Sequence, residues 1–294
     1  ADLDQAGSIS RNPRGMIAFK YVPSQQITVI EDIAVQVGRT GALTPVAHVS
    51  PIRVGGAIVR RATLHNQDEI DRKDIRIGDH VLIQRAGDVI PEVVQVLTEK
   101  RTGHERHYRL PEACPVCHSP VQRNSDEAVL RCTNRNCVAQ LQERLRHLTR
   151  KDALNIQELG EKTVELLVSK GQVKQYSDIF KITPEDLLQL EGFAEKSSHQ
   201  LVQAIQSART PDLYRFIYGL GIRHVGEKTA KILAQNFESL ELLFTVTEEE
   251  LQEIHEIGPE VAQSVVKYFS DPESIRELRE LLKFVLPRPM ARNT

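Results

Sequence analysis

Two groups of residues in this sequence have the types and spacing to do chemistry. The first is Cys114-Pro115-Val116-Cys117, followed by Cys132 and Cys137; all four cysteines of the chain fall within these 24 residues. Two thiol pairs on tight turns, with a short hairpin between them, match a tetrahedral zinc site. Zinc takes four soft ligands, and a CxxC turn sets two sulfurs on one side of the metal. Two disulfides or a redox CxxC are the alternatives. The first sits poorly with a chain whose acidic start, Ala1-Asp2-Leu3-Asp4, is no secretory signal. The second leaves the other pair unexplained. With four protein thiolates no ligand position stays open for water, so the metal is expected to hold the fold and not to catalyse. His118, directly after Cys117, reads as a surface histidine.

The second group recurs. Glu158-Leu159-Gly160-Glu161-Lys162-Thr163, Gly192-Phe193-Ala194-Glu195-Lys196-Ser197, His224-Val225-Gly226-Glu227-Lys228-Thr229 and Glu256-Ile257-Gly258-Pro259-Glu260-Val261 follow one plan. Their central Gly or Ala residues are 34, 32 and 32 positions apart, a period that marks stacked supersecondary units. Each has an apolar residue, a small residue, then the polar start of a helix. Such a turn exposes the N–H groups of a helix N-terminus, and those donors with the helix dipole make an anion site. Lys162, Lys196 and Lys228 would each add a charge-assisted contact. The plainer reading is a set of αα-hairpins whose glycines only end helices; four copies in register favour the phosphate reading. Ala194 and Pro259-Glu260 mark the second and fourth units as weak or structural. Gly221 to Thr229 resembles a phosphate-cradling P-loop, but it has one residue too many before the lysine and no strand ahead of it.

Other elements must carry these groups. Residues 1–23 form a short irregular lead-in. Ile27–Ile30, Ile33–Val37, His80–Gln84 and Val93–Leu97 are β-branched runs punctuated by Gly38, Gly41, Gly78-Asp79 and Ala86-Gly87-Asp88, which predicts a small barrel or sandwich. Thr63–Ile70 breaks that pattern as one helical turn or more. From Val138 onward the chain reads as helical: Val138, Leu141, Leu145 and Leu148 share one stripe. The tail 287–294 is expected to be loose. The fold class is thus multidomain α+β.

At 294 residues the chain predicts about two domains. Hydrophobic residues at 40% and charged residues at 27% suit a globular protein, and no run of about 18 apolar residues suggests a membrane span. We expect a cytoplasmic location. The net charge of -2 is unevenly spread. Residues 1–99 carry 11 basic and 12 acidic side chains, residues 100–150 carry 10 and 5, and residues 151–294 carry 17 and 23. The basic middle reads either as a phosphate-facing surface or as a solvated face. In the acidic last half, any nucleic-acid contact must come from local geometry.

In combination and order, these pieces resemble the C-terminal portion of bacterial NAD-dependent DNA ligases. Val37-Gly38-Arg39-Thr40-Gly41-Ala42-Leu43-Thr44-Pro45 resembles the family's opening OB-fold motif. Arg60–Asn66, Asp71–Asp79 and Arg85-Ala86-Gly87-Asp88-Val89-Ile90-Pro91 resemble its later segments, and Gly221–Ala230 its third hairpin. The likeness covers about residues 9–285. It implies the tail of an adenylation domain at 1–23, an OB-fold at 24–110, a four-cysteine zinc finger at 111–140 and a helix-hairpin-helix domain of four repeats at 141–286. It further implies nick sealing in duplex DNA by adenylyl transfer, in DNA replication and repair, with NAD and magnesium as cofactors beside structural zinc, nicked double-stranded DNA as partner, no membrane, and a monomer. In Pro13-Arg14-Gly15-Met16-Ile17-Ala18-Phe19-Lys20, Lys20 takes the place of a lysine that contacts the nucleotide phosphate; the family usually has tryptophan where Gly15 stands. No Lys-x-Asp-Gly motif occurs in the sequence, so no catalytic residue is assigned, and this chain alone is expected not to adenylate itself. The usual C-terminal BRCT domain also has no counterpart here. DNA contacts are expected from Arg39, Thr40, Arg85, Gly160, Lys162, Gly226 and Lys228, with residues 89–91 bracing the nicked strand. A non-enzymatic DNA-junction adaptor with the same hairpins is the alternative.

Overall fold

The structure, a computed structural model, describes residues 7–9, 12, 13, 17, 23–85, 91–123 and 127–290. It divides into two compact units, Ala1–Gln36 with Thr44–Leu110, and Val37–Leu43 with Pro111–Thr294. No helix among the described residues is long and apolar enough to cross a membrane.

The first unit opens with two short paired strands, β1 (Ser8–Ile9) and β2 (Asn12–Pro13). Its body is a closed barrel. The strands are β3 (Ser24–Val37), β4 (Leu43–Val54), β5 (Ala57–Thr63), β7 (His80–Arg85) and β8 (Glu92–Val96), in the order β3-β4-β5-β8-β7. Pairing is antiparallel except where Thr63 of β5 meets Glu92 of β8. Closure leaves no long free edge to recruit another chain. The two sequence runs at 27–30 and 33–37 are one long strand. Thr28 and Ile30 alternate inward, exposed Glu31 and Asp32 interrupt the alternation, and Ile33 and Val37 resume it. Val81, Ile83, Val93, Ala62 and Val59 complete the core.

Helix α1 (Gln67–Lys73) begins later than the sequence suggests, because Thr63 still belongs to β5 and Asn66 is the cap, its side chain accepting from Glu69 N. The helix ends at Asp74 in the left-handed region (φ 48°). Beside it, β6 (Arg76–Ile77) pairs with β9 (Arg106–His107). Fully buried Asp79 accepts from Arg101 Nε at 2.7 Å and from Arg76 N at 2.7 Å. The same arginine reaches Asp74 at 2.6 Å. A buried carboxylate held by one cation and a backbone amide meets its desolvation cost through directed bonds.

The second unit contains the hairpin of β10 (Val121–Arg123) and β11 (Leu130–Cys132), then, among the described residues, the α-helices α2 (Val138–Thr149), α3 (Glu161–Ser169), α4 (Pro184–Leu188), α5 (Glu195–Ser207), α6 (Leu213–Gly219), α7 (Glu227–Asn236), α8 (Leu240–Leu243), α9 (Glu248–Gln252), α10 (Pro259–Ser270) and α11 (Pro272–Leu282). Short amphipathic helices bury one stripe each into a continuous core that runs from Leu141 to Val285. The tail is not loose as far as residue 290. Leu286 N donates to Arg209 O at 2.7 Å, Arg288 N to Pro211 O at 2.8 Å, and Leu213 N to Arg288 O at 2.8 Å. A backbone ladder, which residue type does not forecast, ties this segment down.

The basic middle is largely neutralised inside this unit. Arg135 pairs with Asp271 at 2.6 Å, Arg144 with Glu277 at 3.1 Å, Arg131 with Glu127 at 2.8 Å, and Arg223 also with Glu127. Carboxylates from the acidic last half supply two of these four pairs, and Glu127 of the middle segment supplies the other two, one of them to Arg223 of the last half.

Candidate functional site

The four cysteines converge. Cys114 and Cys117 lie on a turn in which His118 N donates back to Cys114 O and Cys114 N donates to Ser119 O, both at 2.9 Å. His118 is in the left-handed region (φ 58°), which folds the knuckle tightly. Cys132 ends β11, and Cys137 is the residue before α2, its N–H donating to Asn134 O at 3.1 Å. Cys114, Cys132 and Cys137 are buried and Cys117 is half-buried. All four sulfurs lie within 4.8 Å of one another, with Cys114–Cys137 at 3.9 Å and Cys117–Cys132 at 3.4 Å.

Sulfurs at the corners of a tetrahedron with Zn–S bonds of about 2.3 Å are about 3.8 Å apart. The observed separations straddle that edge and are far longer than the roughly 2.05 Å of a disulfide. The donor set therefore fits structural zinc. Burial pushes the Cys132 thiol up to about 12, and the Cys137 thiol upward as well. Buried thiols resist ionising unless a cation lies among them, which is the condition zinc supplies.

The hairpin tip of the first OB motif hangs on this module. Cys132 N donates to Gly41 O at 2.9 Å, and Arg131 Nη1 donates to Thr40 Oγ1 at 2.7 Å. Gly41 (φ +77°) has no room for a side chain: a Cβ there would lie 2.7 Å from Cys132 O.

The four turns share one geometry. The residue two before each helix cap is in the left-handed region: Glu158 (φ 65°), Gly192 (φ 89°), His224 (φ 61°) and Glu256 (φ 72°). The next residue points its apolar side chain into the core, fully at Leu159, Val225 and Ile257 and partly at Phe193. The cap itself, Gly160, Ala194, Gly226 or Gly258, is extended and exposed, with no side-chain cap on its helix. A Cβ at Gly160, Gly226 or Gly258 would meet nothing within 4 Å. The N–H groups of Glu161, Lys162 and Thr163, and of Glu227, Lys228 and Thr229, have no acceptor among the described residues. Helices α1, α4, α9 and α11 instead take a side-chain cap from Asn66, Thr183, Thr247 and Asp271.

The turns differ in detail. In the second, Ser197 Oγ accepts from Ala194 N at 2.9 Å, so the turn satisfies part of itself. In the fourth, Pro259 has no N–H to offer and Val261 N already donates to Gly258 O. Third and fourth turns are neighbours: Lys228 Nζ pairs with Glu256 at 2.6 Å, and His224 Nδ1 lies 3.9 Å from Glu260. Lys162 is exposed and has no partner among the described residues.

The remaining candidates fall elsewhere. Arg39 is drawn inward: its Nη1 donates to Gly221 O, and burial lowers its pKa. His147 stands beside it, Nε2 at 2.8 Å from Tyr218 O. Burial and the Arg39 charge lower the His147 pKa, so the neutral ring donates to that carbonyl. Arg39 and Thr40 thus make contacts within the second unit, Arg39 to Gly221 O and Thr40 to Arg131. Arg39 still shares one cleft with Gly160. Arg85 ends β7 opposite Ser24 and is half-buried. Lys20, Val89 and Ile90 lie outside the described residues. Sequence reasoning missed the left-handed positions at Glu158, His224 and Glu256; glutamate does not signal that conformation, whereas histidine is enriched there and was a usable signal at His224.

Comparison with known proteins gives a consistent picture. Residues 27–105 match the NAD-dependent DNA ligase OB-fold domain and residues 113–139 the NAD-dependent DNA ligase C4 zinc finger domain. Residues 151–207 match a SAM-like helix-hairpin-helix tandem and residues 215–278 a helix-hairpin-helix motif. A DNA ligase of Syntrophobacter fumaroxidans is 50% identical over 279 residues, which is 95% of this chain and 41% of that protein. DNA ligases of Bacillus cereus (strain AH187) and Bacillus thuringiensis (strain Al Hakam) are each 47% identical over 280 residues. The chain spans about two fifths of the length of these relatives. With barrel, four-thiol centre and paired hairpins in that order along one sequence, the chain belongs to the NAD-dependent DNA ligase family.

Proposed function

We propose that this chain grips nicked double-stranded DNA as the DNA-holding part of an NAD-dependent DNA ligase acting in replication and repair in the bacterial cytoplasm, as a monomer. The observation that carries the reading is the contrast among helix starts. Where α1, α4, α9 and α11 place a capping Asn, Thr or Asp, the first and third turns place a bare glycine and leave three consecutive N–H groups without acceptors among the described residues, on an exposed surface. Phosphate oxygens are acceptors of the right charge and reach. In this reading Gly160, Lys162, Gly226 and Lys228 hold phosphates, and Glu256 yields Lys228 to the DNA. Zinc bound by Cys114, Cys117, Cys132 and Cys137 fixes the hairpin next to them. Arg85 contacts the backbone from the barrel, and Lys20 contacts the nucleotide phosphate.

In the whole ligase, NAD supplies the adenylyl group and magnesium offsets charge at phosphorus. This chain's own residues bind and orient the duplex; the sequence holds no Lys-x-Asp-Gly. The test is a titration of zinc-loaded chain with labelled nicked duplex across salt. We expect sequence-independent binding that weakens steeply as salt rises. Absence of binding at low salt would overturn the reading. Incubation with NAD should add no AMP mass; an adduct would contradict the assignment of the nucleophile elsewhere.

A further inference from the structure

Most basic side chains of the helical unit near the zinc module are committed to carboxylates. Besides the pairs already described, Arg146 is held by Glu143 at 2.5 Å and by Glu161 at 2.7 Å. Two cations at the end of α2 stand apart. The Lys151 ammonium has no partner among the described residues. Among the described residues Arg150 reaches only Asp152, at 3.2 Å, with more than half of its side chain in solvent. Their backbone is pinned: Arg215 donates to Lys151 O, and Asn155 N donates to Arg150 O at 2.8 Å.

Both side chains line a cleft of about 940 Å³ that also takes in Arg39, Arg146, Gly160 and Glu161. Gly160 and Glu161 at the start of α3 line the same space, and the Glu161 N–H lacks an acceptor among the described residues. Of the three carboxylates in the lining, Glu143 and Glu161 are occupied by Arg146, which leaves Glu158. The cleft is far larger than one compact anion needs, and its donors are spread along it. That arrangement suits an extended polyanion rather than a single carboxylate or phosphate.

We propose that this α2–α3 cleft is a further phosphodiester-binding site, in which Arg150 and Lys151 take backbone phosphates flanking the one held at Gly160. The inference rests on the proposed DNA-gripping function and extends it to residues outside the hairpin turns. A purely structural role is the competing account, since cations at a helix C-terminus complement its dipole.

The test compares Arg150→Ala/Lys151→Ala with Lys170→Ala/Lys174→Ala in the full zinc-loaded chain. The second pair removes the same charge from positions at and beyond the far end of α3. Each variant is titrated with fluorescein-labelled nicked duplex at several salt concentrations, and its fold is checked by thermal unfolding. Each lost phosphate contact flattens the slope of log K against log salt by about 0.9. The first pair should flatten it by roughly 1.8 and the second should leave it unchanged. Equal flattening by both pairs would mean bulk charge alone and would overturn the proposal. So would an unchanged slope in Arg150→Ala/Lys151→Ala while the wild type binds well. If the wild type itself does not bind, the DNA-gripping reading falls and this inference falls with it.

Discussion

Replacing Gly160 or Gly226 with alanine separates a glycine kept for the fold from one kept for a ligand. At Gly160 the backbone lies at φ -80°, ψ -178°, and at Gly226 at φ -88°, ψ 179°. Any L-residue adopts these angles, and an added Cβ meets nothing within 4 Å. Alanine therefore fits the folded backbone without strain and removes freedom from the unfolded chain, a gain of about 0.4–1 kcal/mol, which is offset by a similar amount because alanine is a poorer N-cap than glycine. The melting temperature should therefore move by no more than roughly 4 °C in either direction. The same methyl group stands where a phosphate would approach the N–H groups of α3 or α7. Losing one hydrogen bond to a charged group costs about 1.5–3 kcal/mol, a drop in affinity of about 10- to 150-fold. Urea unfolding reads the first quantity, and fluorescence anisotropy with nicked duplex reads the second. Gly221→Ala is the contrasting variant: at φ +68° its Cβ would lie 2.6 Å from Arg39 Nη1. The left-handed backbone alone costs it about 1–2 kcal/mol, so it should lose stability. The reasoning is refuted if Gly160→Ala and Gly226→Ala lose more than about 1 kcal/mol of stability, or bind DNA as well as the wild type does.

Three further outcomes follow from other parts of the molecule. Chelating zinc should release hydrogen-exchange protection at residues 38–42 and 113–137 together, since Cys132 N donates to Gly41 O and no hydrophobic cluster among the described residues includes the zinc hairpin; protection that persists there would show that the metal is dispensable. Arg101→Ala should destabilise the barrel by about 3–5 kcal/mol, because it strands Asp79, which is fully buried, and exchange within β7 and β8 measures that loss; a change below about 1 kcal/mol would reject the ion pair as a strut. The barrel's acid limit should lie low. Hydrogen bonds from Arg76 and Arg101 hold Asp74 at about 2, and those from Arg72 and Lys73 hold Glu69 at about 2. Both folded values lie below the unfolded ones near 4, so this stability is complete above about pH 4 and is lost as pH falls toward about 2. Asp74→Asn should flatten that acid loss, and an unaltered profile would count against the assignment.

The legible parts of the sequence were those whose chemistry is local. A zinc centre needs two short spacings, and Cys114–Cys117 and Cys132–Cys137 each close their own turn. The hairpins were readable because a period near 32 residues repeats one local solution. Roles set by distant partners were not legible. Arg39 donates to a carbonyl 182 residues away, and Arg135 and Arg144 find acids 136 and 133 residues away. A segment count therefore saw a basic middle and an acidic end, where the fold makes ion pairs between them. The reach of β3 through Glu31 and Asp32 was hidden for a related reason: two adjacent charges break an alternation pattern, yet both face solvent on a strand of 14 residues. The ordered tail was missed because Leu286 and Arg288 are held by backbone groups, which composition does not reveal.

Under the proposed function the four turns are unequal, and the inequality explains how an acidic unit can hold a polyanion. Bulk attraction is absent, so affinity must come from places where donors are free and carboxylates are already engaged. The first turn meets both conditions: among the described residues its three N–H groups have no acceptors and Lys162 no partner, Glu161 is tied to Arg146, and Arg150 and Lys151 line the adjoining cleft. The third turn has the donors, but Lys228 must first leave Glu256 at 2.6 Å. The second spends part of its polarity on Ser197, and the fourth gives up one donor to Pro259 and another to Gly258 O. A phosphate rail laid on this surface is therefore held most firmly at the first turn. The zinc hairpin precedes α2, whose far end carries the cations of that grip, so the metal's contribution to binding is to keep those cations in place.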